Sequence, residues 1–362
     1  NAELIYNLIK SINKDLIVVT GGAHPSAVPE QVMDNNNLDY IILGEGEESF
    51  LLLLEAIQKN RHPVDVDGLC YRLNGKVIIN KKKNFIQNLD CMPFPARHLL
   101  PMNKYSEAKW SHFRQSGKVN YIISSRGCTA HCIYCSVHAC WGDFRARSAD
   151  NVLKEMEELI QDGYTEIQFM DDNLTAQKKR AAEIFQGIID RNFNIKWTAP
   201  SGTAIYTLDP SLLDLMKKSG CYHLALAVES ANQHIIRDVM KKPINLKKVK
   251  PLVQHMKNIG IKTEAFYMIG FPGETKEDIQ RTVDFARDLG TDYCCFYIVT
   301  PLPGTKLYDI CKENGYLVES GSKKFKFSQG NICTSEFTPE YLEEVRYKAW
   351  KSINFPEDIN IA

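Results

Sequence analysis

Three cysteines lie close together in this chain, at Cys128, Cys132 and Cys135. They directly follow the apolar run 121–123, which has the composition of a short β-strand. Three thiolates from one tight loop can bind three irons of a cubane [4Fe–4S] cluster, which needs four ligands in all. The fourth iron would then stay open, and an open metal position is where a substrate or cofactor binds. The spacing therefore predicts a reactive site and not a structural staple.

A zinc site is the alternative for the same segment. It would combine the three cysteines with Cys140, and with His131 or His138. Structural zinc sites usually take two separated pairs of ligands, whereas these residues form one crowded group. The spacing favours an iron–sulfur cluster. A non-catalytic protein that binds iron–sulfur or zinc is the alternative.

Composition excludes several other classes of protein. The 44 Lys and Arg residues balance 44 Asp and Glu residues, so we expect no nucleic-acid partner. No apolar stretch approaches the roughly 20 residues of a membrane span. The eleven cysteines are scattered and odd in number, which predicts a reducing cytoplasm and not a secreted disulfide framework. The helical pattern begins at once after Asn1, so we expect an N-terminally truncated domain.

The region 119–305 alternates strand and helix patterns, which predicts a partial (βα)6 parallel barrel. The cysteine loop then lies at the carboxyl ends of the strands, where barrel enzymes keep their active sites. The predicted strands are 120–125, 166–171, 195–199, 222–229, 261–269 and 293–299. The predicted helices are 148–161, 176–191, 209–219, 232–240, 246–258 and 275–289.

Three further regions surround this barrel. Residues 1–60 alternate helix and strand, with apolar strands at 16–19 and 40–43 that predict half of a doubly wound Rossmann-like sheet. Residues 61–118 read as a connector with a β-hairpin around Asn74-Gly75. Residues 306–362 read as a C-terminal helical extension. The fold class is therefore α/β, with a half-domain before the barrel.

The cysteine spacing Cys-x3-Cys-x2-Cys, with Tyr134 before the last cysteine, resembles the signature of the radical S-adenosylmethionine superfamily. The resemblance implies a [4Fe–4S] cluster on Cys128, Cys132 and Cys135 whose open iron binds S-adenosylmethionine. Reduction of the cluster would then cleave S-adenosylmethionine to a 5′-deoxyadenosyl radical.

The same resemblance assigns residues to S-adenosylmethionine. It places Tyr134 along the adenine and Glu229, at the end of an apolar strand, at the ribose. Asp171 and Asp172 stand where the family often carries Gly-Gly-Glu, facing the methionine amino group, although an acidic pair at a strand end can also be a helix N-cap. Gly270 lies in an adenine-side motif, which could equally be an ordinary turn.

The first 60 residues resemble the back half of a cobalamin-binding domain. Gly21, Gly22, Gly44 and Glu45 carry this likeness, because paired glycines let the backbone approach the cofactor closely. His24 is better explained by local hydrogen bonding than by binding cobalt. A generic flavodoxin-like half-domain is the alternative for the whole segment.

Together these features predict a cobalamin-dependent radical S-adenosylmethionine enzyme, with methylation of an unreactive centre as its reaction. The alternatives are a cobalamin-linked cyclase or rearrangement enzyme and a methylthiotransferase. The expected partners are a small-molecule substrate and an electron donor such as flavodoxin or ferredoxin. The sequence names no catalytic residue for the substrate.

Overall fold

The computed structural model describes residues 2–106, 113, 117–318 and 326–356. Within it the chain forms two compact units. The N-terminal unit comprises residues 1–87, 135–144 and 303–305, and the barrel unit comprises residues 88–134, 145–302 and 306–362. Among the described residues, no helix is both long and apolar enough to cross a membrane.

The N-terminal unit is built on a four-stranded sheet in the order β1-β2-β3-β4. Strands β1 and β2 are parallel, whereas β3 and β4 add an antiparallel hairpin at the β2 edge. Its elements are α1 Ala2–Ile12, β1 Val19–Gly21, α2 Ala23–Ala27, α3 Pro29–Met33, β2 Tyr40–Ile42, α4 Glu47–Gln58, β3 Leu69–Leu73 and β4 Lys76–Ile79.

This sheet differs from the expected arrangement in two respects. The hairpin assigned to a connector completes the N-terminal sheet, because two parallel strands alone expose too many backbone groups to be stable. The first strand also begins later than expected, at Val19. Leu16 and Ile17 are 46% and 48% exposed, so their apolar run does not form a strand buried on both faces.

The barrel unit confirms the predicted parallel barrel. Six strands pair in the order β12-β11-β10-β9-β8-β5, and every neighbouring pair is parallel. A two-residue antiparallel ladder, β6 with β7, follows the first of them. The strands are β5 Val119–Ile122, β6 Ser125–Arg126, β7 Arg145–Ala146, β8 Glu166–Phe169, β9 Lys196–Thr203, β10 Cys221–Glu229, β11 Lys262–Ile269 and β12 Tyr293–Ile298.

Helices that follow the strands cover the outer face of the sheet. Ser148, Asp209 and Thr275 cap three of them through side-chain oxygens that accept from backbone N–H groups, as helix N-termini require. The α-helices that follow α4 in the chain are α5 Met102–Ser106, α6 Val137–Trp141, α7 Ala149–Gln161, α8 Lys178–Asp190, α9 Pro210–Lys218, α10 Val249–Asn258, α11 Lys276–Leu289, α12 Lys306–Glu313 and α13 Pro339–Asn354. Of these, α6 belongs to the N-terminal unit.

One predicted helix takes another form. The segment 232–240 contains a π-helical turn at Ile235–Val239, where the Met240 N–H donates to the Ile235 carbonyl at 2.8 Å. A π-turn shifts all following side chains around the axis, and such turns are frequent at functional sites. Here it precedes Lys242, whose side chain is buried.

Candidate active site

The cysteine loop leaves the barrel at the end of β5 and is closed at its base by β6 and β7. Gly127 turns the chain with a φ of 81°, a conformation that favours glycine. Cys128 follows, half-buried, and its Sγ accepts hydrogen bonds from the Ala130 N–H at 3.5 Å and from Asn173 Nδ2 at 3.7 Å. N–H donors stabilise a thiolate, which is the form that binds metal.

The start of this loop is held by Asp171. Its carboxylate accepts from the Ser124 N–H, from Ser124 Oγ at 2.7 Å and from Ser125 Oγ at 2.5 Å. Burial raises the pKa of Asp171, against the opposing effect of these serine bonds. The carboxylate therefore accepts several hydrogen bonds from the start of the cysteine loop and helps to position it.

Asp172 and Asn173 follow at the end of β8. Asp172 is half-buried, and its Oδ2 accepts from the Gly127 N–H at 3.3 Å. Asn173 is buried and donates to both Cys128 Sγ and the Tyr206 hydroxyl. Its Oδ1 has no hydrogen-bond partner among the described residues. A buried amide oxygen without a protein partner can accept a hydrogen bond from a ligand that binds beside the cysteine.

Glu229 closes β10 in a strained backbone conformation, with a φ of 72°. Its Oε1 accepts from the Tyr134 hydroxyl at 3.2 Å and from Lys242 Nζ at 2.5 Å. Burial acts to lower the pKa of Lys242, but the charges of Glu229, Cys132 and Cys128 raise it overall. A buried ammonium therefore lies beside both a carboxylate and the cysteine loop.

Sequence reasoning missed Lys242, Asn173 and Tyr206 as site residues. Burial raises the pKa of the Tyr206 phenol to about 12, and Cys128 is among its neighbours. A lysine after a predicted helix and a tyrosine after a strand carry no motif of their own. The π-helical turn positions Lys242, and the pairing of the barrel strands brings Asn173 and Tyr206 to the cysteine loop.

The loop after β11 lies against the same cysteine loop. The Tyr134 ring packs edge-on against Phe271, with ring centroids 5.5 Å apart. Gly270 has a φ of 94°, a conformation that favours glycine, and a Cβ there would lie 2.6 Å from Leu342 Cδ1, so a larger residue would have to displace the leucine side chain. Glu274 Oε2 accepts from the N–H groups of Gly270 and Phe271, each at 2.8 Å.

The donor set suits an iron–sulfur cluster. A cubane presents a separate iron to each thiolate. Three half-buried thiols at Cys128, Cys132 and Cys135, with N–H donors at the first, fit this arrangement.

A second site lies in the N-terminal unit, at the carboxyl ends of β1 and β2. A cleft of 510 Å³ opens there, within the range of cofactor pockets. It brings together all four residues predicted for cobalamin, and it adds aromatic side chains that the sequence did not indicate. Its lining includes Gly21, Gly22, Gly44, Glu45, Phe50 and Trp141. His24 is exposed and does not line it.

Two glycines of this cleft lie close to backbone carbonyl groups. A Cβ at Gly44 would lie 3.1 Å from the Cys140 carbonyl oxygen, and its φ is 63°. A Cβ at Gly21 would lie 3.1 Å from the Ile42 carbonyl oxygen. Glu45 is buried and its Oε2 accepts from the Ile86 N–H at 2.8 Å. At Gly22 a Cβ would meet nothing within 4 Å, so the missing side chain leaves the backbone open to a cofactor at this point.

Two protein families match this chain. The profile of the Radical SAM superfamily matches residues 122–286, and that of the B12 binding domain matches residues 1–54. The chain is 32% identical to cytidylyl-2-hydroxyethylphosphonate methyltransferase of Streptomyces wedmorensis, over 91% of this chain and 68% of that protein. It is 33% identical to an uncharacterized methyltransferase of Pyrococcus horikoshii, over 97% of this chain and 75% of the relative.

A solved structure shares the fold. It is the radical S-adenosylmethionine methyltransferase TsrM of Kitasatospora setae with tryptophan substrate and a S-adenosylmethionine analogue bound. The TM-score is 0.73 at 17% identity, and the match covers 95% of this chain and 67% of that one. With two relatives above 30% identity along most of its length, the chain belongs to the cobalamin-binding-domain branch of the radical S-adenosylmethionine superfamily.

Proposed function

We propose that this radical S-adenosylmethionine enzyme is a cobalamin-dependent methyltransferase that acts on an unreactive centre of a small molecule. Its cofactors are a [4Fe–4S] cluster, S-adenosylmethionine and cobalamin. The observation that carries the proposal is the half-buried cysteine loop beside the buried Glu229–Lys242 pair. Both relatives above 30% identity are named methyltransferases, which favours methyl transfer over cyclisation or methylthiolation.

When bound, the cluster and S-adenosylmethionine supply a 5′-deoxyadenosyl radical that takes a substrate hydrogen, and cobalamin supplies the methyl group. Cys128, Cys132 and Cys135 hold the cluster. Lys242 offers a buried positive charge for the carboxylate of S-adenosylmethionine, since a buried cation is held most favourably by charged acceptors. The bare Oδ1 of Asn173 is an acceptor for the amino group.

Glu229 and Tyr134 act on the nucleoside side of the same molecule. The second oxygen of the Glu229 carboxylate can accept from ribose hydroxyls while the first holds Tyr134 and Lys242. The ring of Tyr134 lies against Phe271, which orients it for adenine. Asp171 positions the start of the cysteine loop by accepting from the Ser124 and Ser125 hydroxyls.

The N-terminal unit holds cobalamin in the cleft between β1, β2 and Trp141 in this proposal. Residues 1–87 then form the cobalamin-binding part, residues 119–305 the catalytic barrel, and residues 306–362 its C-terminal extension. We also propose that the enzyme works in the cytoplasm, with a flavodoxin or ferredoxin as electron donor, because the thiols that would hold the cluster stay reduced in that compartment.

The test is anaerobic reconstitution with iron and sulfide, followed by addition of S-adenosylmethionine, cobalamin and dithionite. We expect 5′-deoxyadenosine and S-adenosylhomocysteine, the products of radical formation and of methyl donation. Cys128→Ala abolishes the first product, whereas Cys333→Ala, at an exposed cysteine, retains it. An absence of both products, together with a spectrum unchanged by S-adenosylmethionine, would sink the proposal.

A further inference from the structure

Arg180 is a buried arginine in the first turn of α8. The two basic residues before it, Lys178 and Lys179, are exposed, as is usual for charged side chains on an outer helix. Arg180 is instead only 8% exposed. Burial lowers the pKa of its guanidinium, although the charge of Asp171 acts in the opposite direction. A buried cation of this kind is costly unless strong acceptors hold it.

Two backbone carbonyl groups hold this guanidinium. Its Nη2 donates to the Ser124 carbonyl oxygen at 2.7 Å, and its Nε donates to the Arg147 carbonyl oxygen at 2.5 Å. The N–H groups of a guanidinium form a rigid fork, so one side chain can bind two neighbouring acceptors at a fixed separation. Lysine carries the same charge on a single nitrogen and cannot reproduce this fork.

The two carbonyl groups mark the ends of the segment that carries the three cysteines. This segment, residues 125–146, begins with β6 and ends with β7, so Ser124 comes directly before it and Arg147 directly after it. The Arg147 N–H also donates to the Ser124 carbonyl oxygen, at 3.0 Å. The ladder between β6 and β7 has only two residue pairs, and so short a hairpin is marginal without further support. Arg180 supplies that support at the end of the ladder where the segment leaves and rejoins the barrel.

Ser124 is held by two side chains of the second β/α unit. Its N–H and its hydroxyl donate to Asp171 after β8, and its carbonyl oxygen accepts from Arg180 on α8. Ser124 is fully buried, so these bonds take the place of water at its polar groups. Asp171 thus fixes where the segment leaves the barrel, whereas Arg180 binds both that point and the point of return at Arg147.

We propose that Arg180 is a positioning residue that clamps the two ends of segment 125–146 together and so sets where the three cysteines lie relative to the barrel strands. It acts through the Ser124 and Arg147 carbonyl groups. Without this clamp the short ladder opens more often, and the cysteines spend less time in the arrangement that holds one cluster. The consequence for S-adenosylmethionine rests on the proposed function, whereas the clamp itself does not.

Hydrogen exchange of the cluster-free full chain tests the clamp directly. We expect Arg180→Met to speed exchange of the Arg147 amide about tenfold, because the ladder loses a charge-assisted hydrogen bond at its end. Arg180→Lys should show a smaller increase, and it replaces Arg180→Met if that variant does not fold. Lys179→Met removes the same charge from an exposed neighbouring position and should exchange as the wild type does.

The loaded protein gives two further readouts after anaerobic reconstitution with iron and sulfide. In Arg180→Met the iron retained per chain through gel filtration should fall several-fold. The concentration of S-adenosylmethionine that gives half of the spectral change should rise about tenfold in the chains that keep a cluster. Ile188→Ala, at a buried core position of the same helix, lowers stability without touching the clamp. It should therefore keep wild-type iron and the wild-type response.

Either of two results would overturn the inference. One is wild-type exchange of the Arg147 amide in Arg180→Met. The other is an equal loss of iron in Ile188→Ala and Arg180→Met, because the loss would then follow from reduced stability alone. If the exchange results are as expected but the wild-type cluster does not respond to S-adenosylmethionine, the clamp is supported and the proposed function is contradicted.

Discussion

At the scale of single residues, the acidic side chains at the strand ends divide between two tasks. Asp171 is enclosed by serine donors and holds the cysteine loop. Glu229 pairs with Lys242 and Tyr134 beside the same loop. The difference comes from what surrounds each carboxylate: hydroxyl and N–H donors in one case, a buried cation in the other.

Asp171→Asn should release the cysteine loop. The asparagine amide has only one acceptor oxygen, so its –NH2 group faces serine groups that donate to Asp171 in the wild type. Each buried donor that loses its acceptor costs about 1–3 kcal/mol. We expect the iron retained per chain after anaerobic reconstitution to fall several-fold, with the far-ultraviolet circular dichroism unchanged. Asp172→Asn alters the acceptor of the longer 3.3 Å bond from the Gly127 N–H and should retain most of its iron. Equal iron in both variants would contradict the positioning role.

The Glu229–Lys242 pair should show strong coupling. Lys242→Met leaves a buried carboxylate without its cation and should lower the free energy of unfolding by about 3–5 kcal/mol. The double variant with Glu229→Gln removes both charges, so its loss should be smaller than the sum of the single losses by about 2 kcal/mol. Denaturant unfolding of the cluster-free protein measures both. Additive losses would show that the two charges do not interact.

At the scale of elements, the loops after the strands bring the site together. The loop after β11 is tied by Glu274 to its own backbone, and Gly270 lets it pass close to Leu342 on α13. The π-turn after β10 brings Lys242 to Glu229. None of these contacts follows from the strand pattern, because each depends on an irregular turn.

Glu274 should make stability fall with rising pH. Burial raises its pKa from 4.5 to about 8, so between these values the folded chain holds a proton that the unfolded chain has lost. Stability therefore decreases as pH rises through this window, by about 3 kcal/mol between about pH 6 and 9. Glu274→Gln lacks this ionisation.

The comparison is the difference in unfolding free energy between wild type and Glu274→Gln across that range. We expect wild type to lose stability relative to the variant toward alkaline pH. Parallel pH profiles would mean that Glu274 is ionised in the folded chain throughout.

At the scale of the whole molecule, the predicted cobalamin residues and the first two cysteines belong to different units: Gly21, Gly22, Gly44 and Glu45 to the N-terminal unit, Cys128 and Cys132 to the barrel unit. The cleft in the N-terminal unit is lined by residues of that unit alone, including Trp141 from a helix that follows the cysteine loop. The buried polar residues around Cys128 belong to the barrel unit. The chain thus crosses from one unit to the other within the loop that carries the cysteines.

The two sites should be separable by substitution. Trp141→Ala removes an aromatic wall of the cleft and should lower the corrinoid retained through gel filtration about tenfold, consistent with losing about 1.4 kcal/mol or more of packing. Its iron content should stay at the wild-type level. Cys128→Ala should show the reverse pattern. Loss of both cofactors in either variant would contradict this division.

The sequence alone determined the cofactor chemistry and the barrel. The three cysteines, the paired glycines and the alternation of apolar strands are local patterns, and each strand of the barrel lies within a few residues of its expected range. The caps at Ser148 and Asp209 are equally local, because each side chain accepts from a backbone N–H three residues further on. These features need only near neighbours in the chain, so they can be inferred from it directly.

Tertiary structure alone decided which polar groups meet. The extension of the N-terminal sheet by β3 and β4, the enclosure of Asp171, and the approach of Lys242 to Glu229 all join residues distant in sequence. His223 and Glu264 meet at 3.5 Å because neighbouring parallel strands bring them onto the same face of the sheet. Burial and partner atoms set the role of each such group, and both exist only once the barrel has closed.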